Sequence, residues 1–425
     1  MPEIIVALVL LFALMGIGTP IHVALGLSGL AIFFANGLPA TAAVHTIING
    51  TNSFPLIAIP FFIFAGHLMN AAQVTDRIFN FAKAIVGWTP GGLGHVNIGS
   101  SVVFAGMSGA AVADAGGLGA IEIKAMKDAG YDKGFAVGVT AASSTIGPII
   151  PPSLPLIIYG VIAEQSIGEL FAAGIIPGML MALSLMAMVA WYAKKRNYPK
   201  DAAFSLPRLL SSGKAAIFPM ITPAIIVGGI ISGVFTPTEA AVAAVAFTIF
   251  IGFVVYKTLT WTSLVHAAMN TIKTTASVLM IVSAAALFAW VLTANQVAEH
   301  LASGLLTLTD NKVLLLLMIM MIVFSIGFFM ETIAAITIIV PLILPVASSV
   351  GIDPVHLGII VILNLMIGLL TPPVGMVLYV LAKVADTPFE KCVKSTLPFL
   401  VPLLVVLLLL VFIPQLSLWL PSLLY

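Results

Sequence analysis

The chain has 425 residues, 61% of them hydrophobic and 8% charged, with a formal net charge of +1. A soluble domain carries about a quarter charged residues, so this apolar excess calls for a bilayer as its solvent. The near-neutral balance excludes an electrostatic nucleic-acid partner, and the single cysteine, Cys392, excludes an internal disulfide.

Apolar stretches of about 20 residues mark the membrane spans. The start, Met-Pro-Glu, lacks a basic n-region, so its apolar stretch reads as a retained span rather than a signal peptide. Residues 3–18, 20–36 and 54–70 are the first three crossings. Residues 73–88 are shorter and two-faced: Val74, Ile78, Phe81 and Ile85 lie on one side, and Asp76, Arg77, Asn80 and Lys83 on the other. That pattern predicts an interfacial arm, with a cytosolic loop helix as the plainer alternative. Residues 91–127 are rich in small side chains, which allow close helix approach, and predict a re-entrant hairpin turning near 106–109. A broken span over 134–163 and a crossing over 170–193 follow. A basic linker, 194–214, closes the first half.

The second half repeats this order. Crossings fall at 215–232 and 236–256, and an amphipathic lead-in plus span at 262–292. A second arm covers 295–308, a second hairpin 313–350 turning near 327–332, a second broken span 354–382, and the last crossing 395–413. The expected domains are therefore 1–193 and 215–425, joined by 194–214. The expected fold is an all-α polytopic membrane protein of two repeats, each with five crossings, one hairpin and one broken helix. Five is odd, so the second repeat should be inverted relative to the first. Basic residues collect in cytoplasmic loops. With 194–214 placed inside the cell, only Lys312 of the seventeen Lys and Arg residues falls outside. Both termini are then expected in the periplasm.

The strongest local signal is Ile146-Gly147-Pro148-Ile149-Ile150-Pro151-Pro152, inside what should be an unbroken helix. Proline removes a backbone donor and clashes with the preceding turn. A break in hydrocarbon leaves backbone groups that protein, water or an ion must satisfy. Ile367-Gly368-Leu369-Leu370-Thr371-Pro372-Pro373 repeats the signal, with Pro372 lying 221 residues after Pro151. The same offset relates Gly106 to Gly327, Asp132 to Asp353, Glu169 to Glu390 and Pro177 to Pro398. Paired broken helices in two halves point to the binding site of a secondary transporter.

Hydroxyls and bare carbonyls at such breaks suit Na+. The candidate ligands are Ser108, Gly147, Ile150 and Pro152 for one ion, and Gly327, Gly368 and Thr371 for another. Ser and Thr that bond back to their own helix are the plainer alternative. The half-helix amino ends after Pro152 and Pro373 favour an anionic cargo. Candidate substrate contacts are Glu331, Ser108, Ser153 and Asp114. Intramembrane acids default to functional readings. Glu239 is the exception, because it follows Thr236-Pro237-Thr238 and reads as a helix cap. Glu331 has the same bland alternative, a cap on the second limb of its hairpin. Asp114 has the alternative of a packed, hydrogen-bonded acid. No P-loop and no His-Glu-x-x-His occurs, and no nucleophile–base constellation supports an enzyme.

Three motifs carry a family resemblance: Gly-Val-Phe-Thr-Pro-Thr-Glu-Ala-Ala at 233–241, the two Ile-Gly-x-x-x-Pro-Pro segments, and Pro-Phe-Phe-Ile-Phe-Ala-Gly at 60–66. Together they resemble the large membrane subunit of tripartite ATP-independent periplasmic (TRAP) transporters, the DctM family, over essentially the whole chain, and most closely its sialic-acid members. The resemblance implies a bacterial inner-membrane symporter driven by Na+, with at least two sites, and an elevator mechanism. It implies a carboxylate cargo, either a sialic acid or a C4-dicarboxylate. It also implies two partners, a small four-helix membrane subunit and a periplasmic substrate-binding protein. One departure stands out: the 221-offset mate of Ser108 is Phe329, which has no hydroxyl. The alternative is a stand-alone ion or organic-anion antiporter of related inverted-repeat fold, which would need no partners.

Overall fold

The structure, a computed structural model, describes residues 2–200, 203–309 and 311–425; the side chains of 2–4, 106–108 and 302 lie outside that description. Among the described residues there is no strand. Among the described residues, seven helices are long and apolar enough to cross a membrane: Phe54–Ala71, Ile167–Arg196, Leu206–Ile231, Pro237–Val255, Trp261–Ala294, Thr332–Ser349 and Phe389–Phe412.

An outer set of helices packs around Trp261–Ala294. Ile21–Ala35 lies between this helix and Pro2–Gly16, and Ala58–Ala71 lies between it and Pro237–Phe250. Its 34 residues make one continuous rod, roughly 50 Å long at 1.5 Å per residue. The expected lead-in and span are thus a single helix. Ala40–Asn49 forms a further short helix that the apolar pattern does not announce.

The first arm, Val74–Val86, lies on Leu206–Ile231. Val74 and Ile78 are buried as the pattern expects, but Phe79 and Ala82 complete that face and Ile85 stays exposed. Arg77 sits 3.7 Å over the Tyr256 ring centroid, and Thr258 Oγ1 donates to the Ala72 carbonyl at 2.8 Å. Both contacts lash the arm to the outer set. The second arm, Val297–Leu306, lies on Thr332–Ser349. Gln73 and Gln296 open the two arms with left-handed φ of 56° and 55°.

The linker is shorter than its charge predicts. Ile167–Arg196 carries Lys194, Lys195 and Arg196 in its last turn, where cations suit the helix dipole. Leu206–Ile231 begins after Ser205, which accepts from Arg208 N. Basic residues alone do not stop a helix.

The broken spans occupy the centre. Every residue from Phe135 to Ser144 is buried, and every residue from Val355 to Gly368. Helices that are apolar all round belong in the core. Phe389–Phe412 packs on the first of them, and Lys312–Gly327 and Thr332–Ser349 on the second. A terminal helix, Gln415–Leu424, lies on Ile167–Arg196.

Candidate functional site

The first broken span runs as Lys133–Ser144, a non-helical stretch over 145–153, then Leu154–Ile162. Asp132 caps the first piece, accepting from Phe135 N at 2.9 Å. Ser153 caps the second: it accepts from Leu156 N at 3.2 Å and donates to the Pro148 carbonyl at 2.5 Å. The carbonyls of Gly147, Ile150 and Pro152 accept no hydrogen bond from any described residue. The second broken span runs as Pro354–Gly368, then Met376–Val384. Asp353 caps it, accepting from Val355 N and His356 N. The Pro151–Pro152 and Pro372–Pro373 bonds are both cis.

Each hairpin tip touches its own break through glycine. Gly109, with φ of +57°, ends the limb Gly92–Ser108. A Cβ there would lie 3.0 Å from the Pro152 carbonyl oxygen and 3.2 Å from Leu154 N. Gly327 ends the limb Lys312–Gly327, and a Cβ on Gly368 would lie 2.8 Å from its carbonyl carbon. Only a residue without Cβ permits backbones this close. The structure therefore sets Pro152 and Ser153 against the first tip, with Gly147 and Ile150 in the same break, and Gly368 against Gly327 at the second, with Thr371 three residues beyond. Ser108 ends the first limb, but its side chain lies outside the described residues.

Several candidates are engaged locally. Thr371 Oγ1 donates to the Ile367 carbonyl at 2.8 Å, and the Gly368 carbonyl accepts from Thr371 N at 2.9 Å. Glu331 caps Thr332–Ser349: its Oε2 accepts from Ile333 N at 2.8 Å and Ala334 N at 3.3 Å. Glu239 forms the expected capping box with Thr236. Asp114 is 2% exposed and turns into the hairpin, while its neighbour Ala113 faces the adjacent cavity.

That cavity, of about 370 Å³, lies on the seam between the outer helices and the first hairpin. Ile63, His67, Asn70 and Thr274 line its outer wall, and Ala110, Ala113, Gly116 and Gly117 its hairpin wall. Its size falls within the roughly 300–1,000 Å³ of small-molecule sites. No described group of three or more His, Cys, Asp or Glu is arranged to hold a metal. The donors at the breaks are carbonyl and hydroxyl oxygens, which fit a hard cation such as Na+ rather than a transition metal.

The family described as "Tripartite ATP-independent periplasmic transporter, DctM component" matches residues 8–416. The chain belongs to this family. The sialic acid TRAP transporter large permease protein SiaM of Vibrio cholerae is 48% identical over 415 residues, covering 97% of this chain and 96% of SiaM. The sialic acid TRAP transporter permease protein SiaT of Haemophilus influenzae is 43% identical over 423 residues, covering 99% of this chain and 69% of SiaT. The crystal structure of the Alcanivorax borkumensis YdaH transporter is similar in fold alone, with a TM-score of 0.66 at 15% identity, over 88% of this chain and 89% of that one. The chain is a multi-pass membrane permease, not an enzyme.

Sequence reasoning missed part of this DctM component's interior. Asn97 Nδ2 donates to Glu122 Oε2 and to Thr140 Oγ1, each at 2.7 Å, and Ser143 Oγ donates to Asn97 Oδ1 at 2.6 Å. All four residues are buried. Glu122 was hidden by its neighbours Lys124 and Lys127, which mark an ordinary solvated helix. The available signal was spacing. Asn97, Ser100 and Ser101 share one helix face, and so do Thr140 and Ser143. His67 and Asn70, three apart on the cavity wall, carried the same unread signal.

Proposed function

We propose that this DctM component is the large permease of a Na+-coupled symporter that imports a carboxylate of the sialic-acid class across a bacterial inner membrane. The observation that carries the reading is the pair of glycine contacts joining each hairpin tip to its own break, at Gly109 and at Gly368. Two helix breaks with free or partly free carbonyls, each sealed by a re-entrant tip, offer two places where Na+ can replace missing backbone partners. At the first, the carbonyls of Gly147, Ile150 and Pro152 would hold the ion, with Ser108 beside them. At the second, Gly327, Gly368 and Thr371 would. The identity of 48% to a permease named for sialic acid supports the cargo class.

Movement follows the same seam. The hairpins and broken spans would travel as one body past the outer helices, an elevator. Ala285, Ala286 and Ala289 of Trp261–Ala294 face Thr337 and Pro341 of the second hairpin, a shallow surface suited to sliding. The basic residues support inverted repeats, 1–193 and 215–425, with periplasmic termini. His67 and Asn70 lie beside the basic arm, so the cavity faces the cytoplasm, as for release. A small four-helix membrane subunit and a periplasmic binding protein would complete the transporter.

Uptake in proteoliposomes tests this. With both partners present, labelled sialic acid should accumulate under an inward Na+ gradient and not under a K+ gradient. Thr371→Ala should raise the Na+ concentration for half-maximal uptake. Equal uptake in K+ would overturn the coupling. Thiol labelling of Ser422→Cys, but not Ser211→Cys, in intact cells lacking Cys392 checks the orientation.

A further inference from the structure

The first hairpin holds two acids that the transport reading leaves unused. Asp114 sits on the short helix Ala111–Gly116 and Glu122 on Leu118–Asp128, and each is 2% exposed. The two helices are consecutive in the hairpin and pack on each other, so a charge on Asp114 would oppose one on Glu122. Both oxygens of Asp114 and Oε1 of Glu122 are fully buried and have no hydrogen-bonding partner.

The surroundings offer no countercharge. From the limb Gly92–Ser108, Asn97 donates to Glu122, Ser100 donates to the Val96 carbonyl, and Ser101 is the next residue on that helix; His95 is on the same helix. From Lys133–Ser144 come Thr140 and Ser143, while Lys133, two turns away, donates to the Asp386 carbonyl. From Met376–Val384, the side chains of Val380 and Leu381 approach Gly116 and Gly119, and Lys383 lies in the last turn. Lys124, Lys127 and Asp128, on the helix of Glu122, are exposed. No described basic side chain comes within salt-bridge distance of either acid.

Two bare carboxylates buried together meet both desolvation and mutual repulsion. One proton relieves both. We propose that Asp114 and Glu122 share a single proton and form a proton site inside the first hairpin. The proton comes from water and binds one carboxyl oxygen. Once bound, it lowers the pair's charge from two negative units to one. Asn97 Nδ2 donates to Glu122 Oε2, so Oε1 and the two Asp114 oxygens are the positions left to carry it. The hairpin is part of the proposed moving body, so the proton would cross with it. The assignment itself needs neither Na+ nor a cargo.

Infrared spectroscopy of the chain in lipid nanodiscs at neutral pH tests the proposal. The wild type should show a protonated-carboxyl band that shifts with 13C-labelled aspartate or glutamate. Glu122→Gln and Asp114→Asn should each shift or abolish it, with thermal unfolding measured in parallel to confirm folding. A wild type without such a band overturns the proposal, and this holds even if both variants fail to fold. A band unchanged in both folded variants also overturns it. So does a pair found fully ionised around a retained Na+ ion.

Discussion

The two hairpin-and-break units use the same backbone plan with different chemistry. Asp132 and Asp353 cap equivalent helices, and glycine seals both contacts between tip and break. Around the first unit the interior is polar: Asn97, Glu122, Thr140 and Ser143 are joined by hydrogen bonds between broken span and hairpin. Around the second it is less polar, and among the described residues one buried side-chain bond, Asn364 Nδ2 to the Met320 carbonyl at 2.7 Å, ties broken span to hairpin. Both units therefore keep what the backbone requires, a break and a close approach. Their side chains differ, with more hydrogen bonds between hairpin and broken span in the first.

The largest expected effect tests that contrast directly. Asn97→Ala removes three buried bonds, while Asn364→Ala removes one. A buried polar group left unpartnered costs roughly 1–3 kcal/mol. Chemical unfolding in detergent should show at least twice the loss for Asn97→Ala. Equal losses would erase the distinction between the units.

Next comes the glycine contact. Gly368→Ala drives a methyl into the Gly327 backbone, and overpacking of this kind costs about 1–3 kcal/mol. Gly327→Ala meets the flexible end of Leu365 at 3.3 Å and the Gly368 Cα at 3.4 Å, a tight but milder fit, so its loss should be smaller. Reversed ranks would show that the tip does not rest on the break as described.

Glu331→Gln probes the cap on the second hairpin. Loss of a good N-cap costs about 0.5–2 kcal/mol. Uptake should fall only in step with stability. Uptake abolished at unchanged stability would make Glu331 a substrate contact instead.

The smallest effect is expected at the surface. Arg196 and Asp132 form an ion pair at 3.2 Å with side chains 43% and 56% exposed. Arg196→Met should cost under about 1 kcal/mol and less still in high salt. A larger loss would give this exposed rim of the first unit a structural weight that its accessibility does not suggest.

Period and punctuation in the chain were enough to establish the membrane environment, the helical architecture, the two breaks and the capping role of Glu239. Hydrophobic run length, proline and glycine report on the backbone directly, and the backbone obeys them locally. Only the tertiary structure decided which acids cap helices and which are buried. Asp114, Glu122 and Glu331 are similar as letters, yet one caps a helix and two are buried on consecutive helices of a hairpin. Burial and hydrogen-bond partners depend on segments distant in the chain, such as Asn97 meeting Thr140. The same holds for the continuous rod Trp261–Ala294, the short linker and the terminal helix Gln415–Leu424. Their ends are set by packing against neighbours, and packing has no period that a single strand of sequence can display.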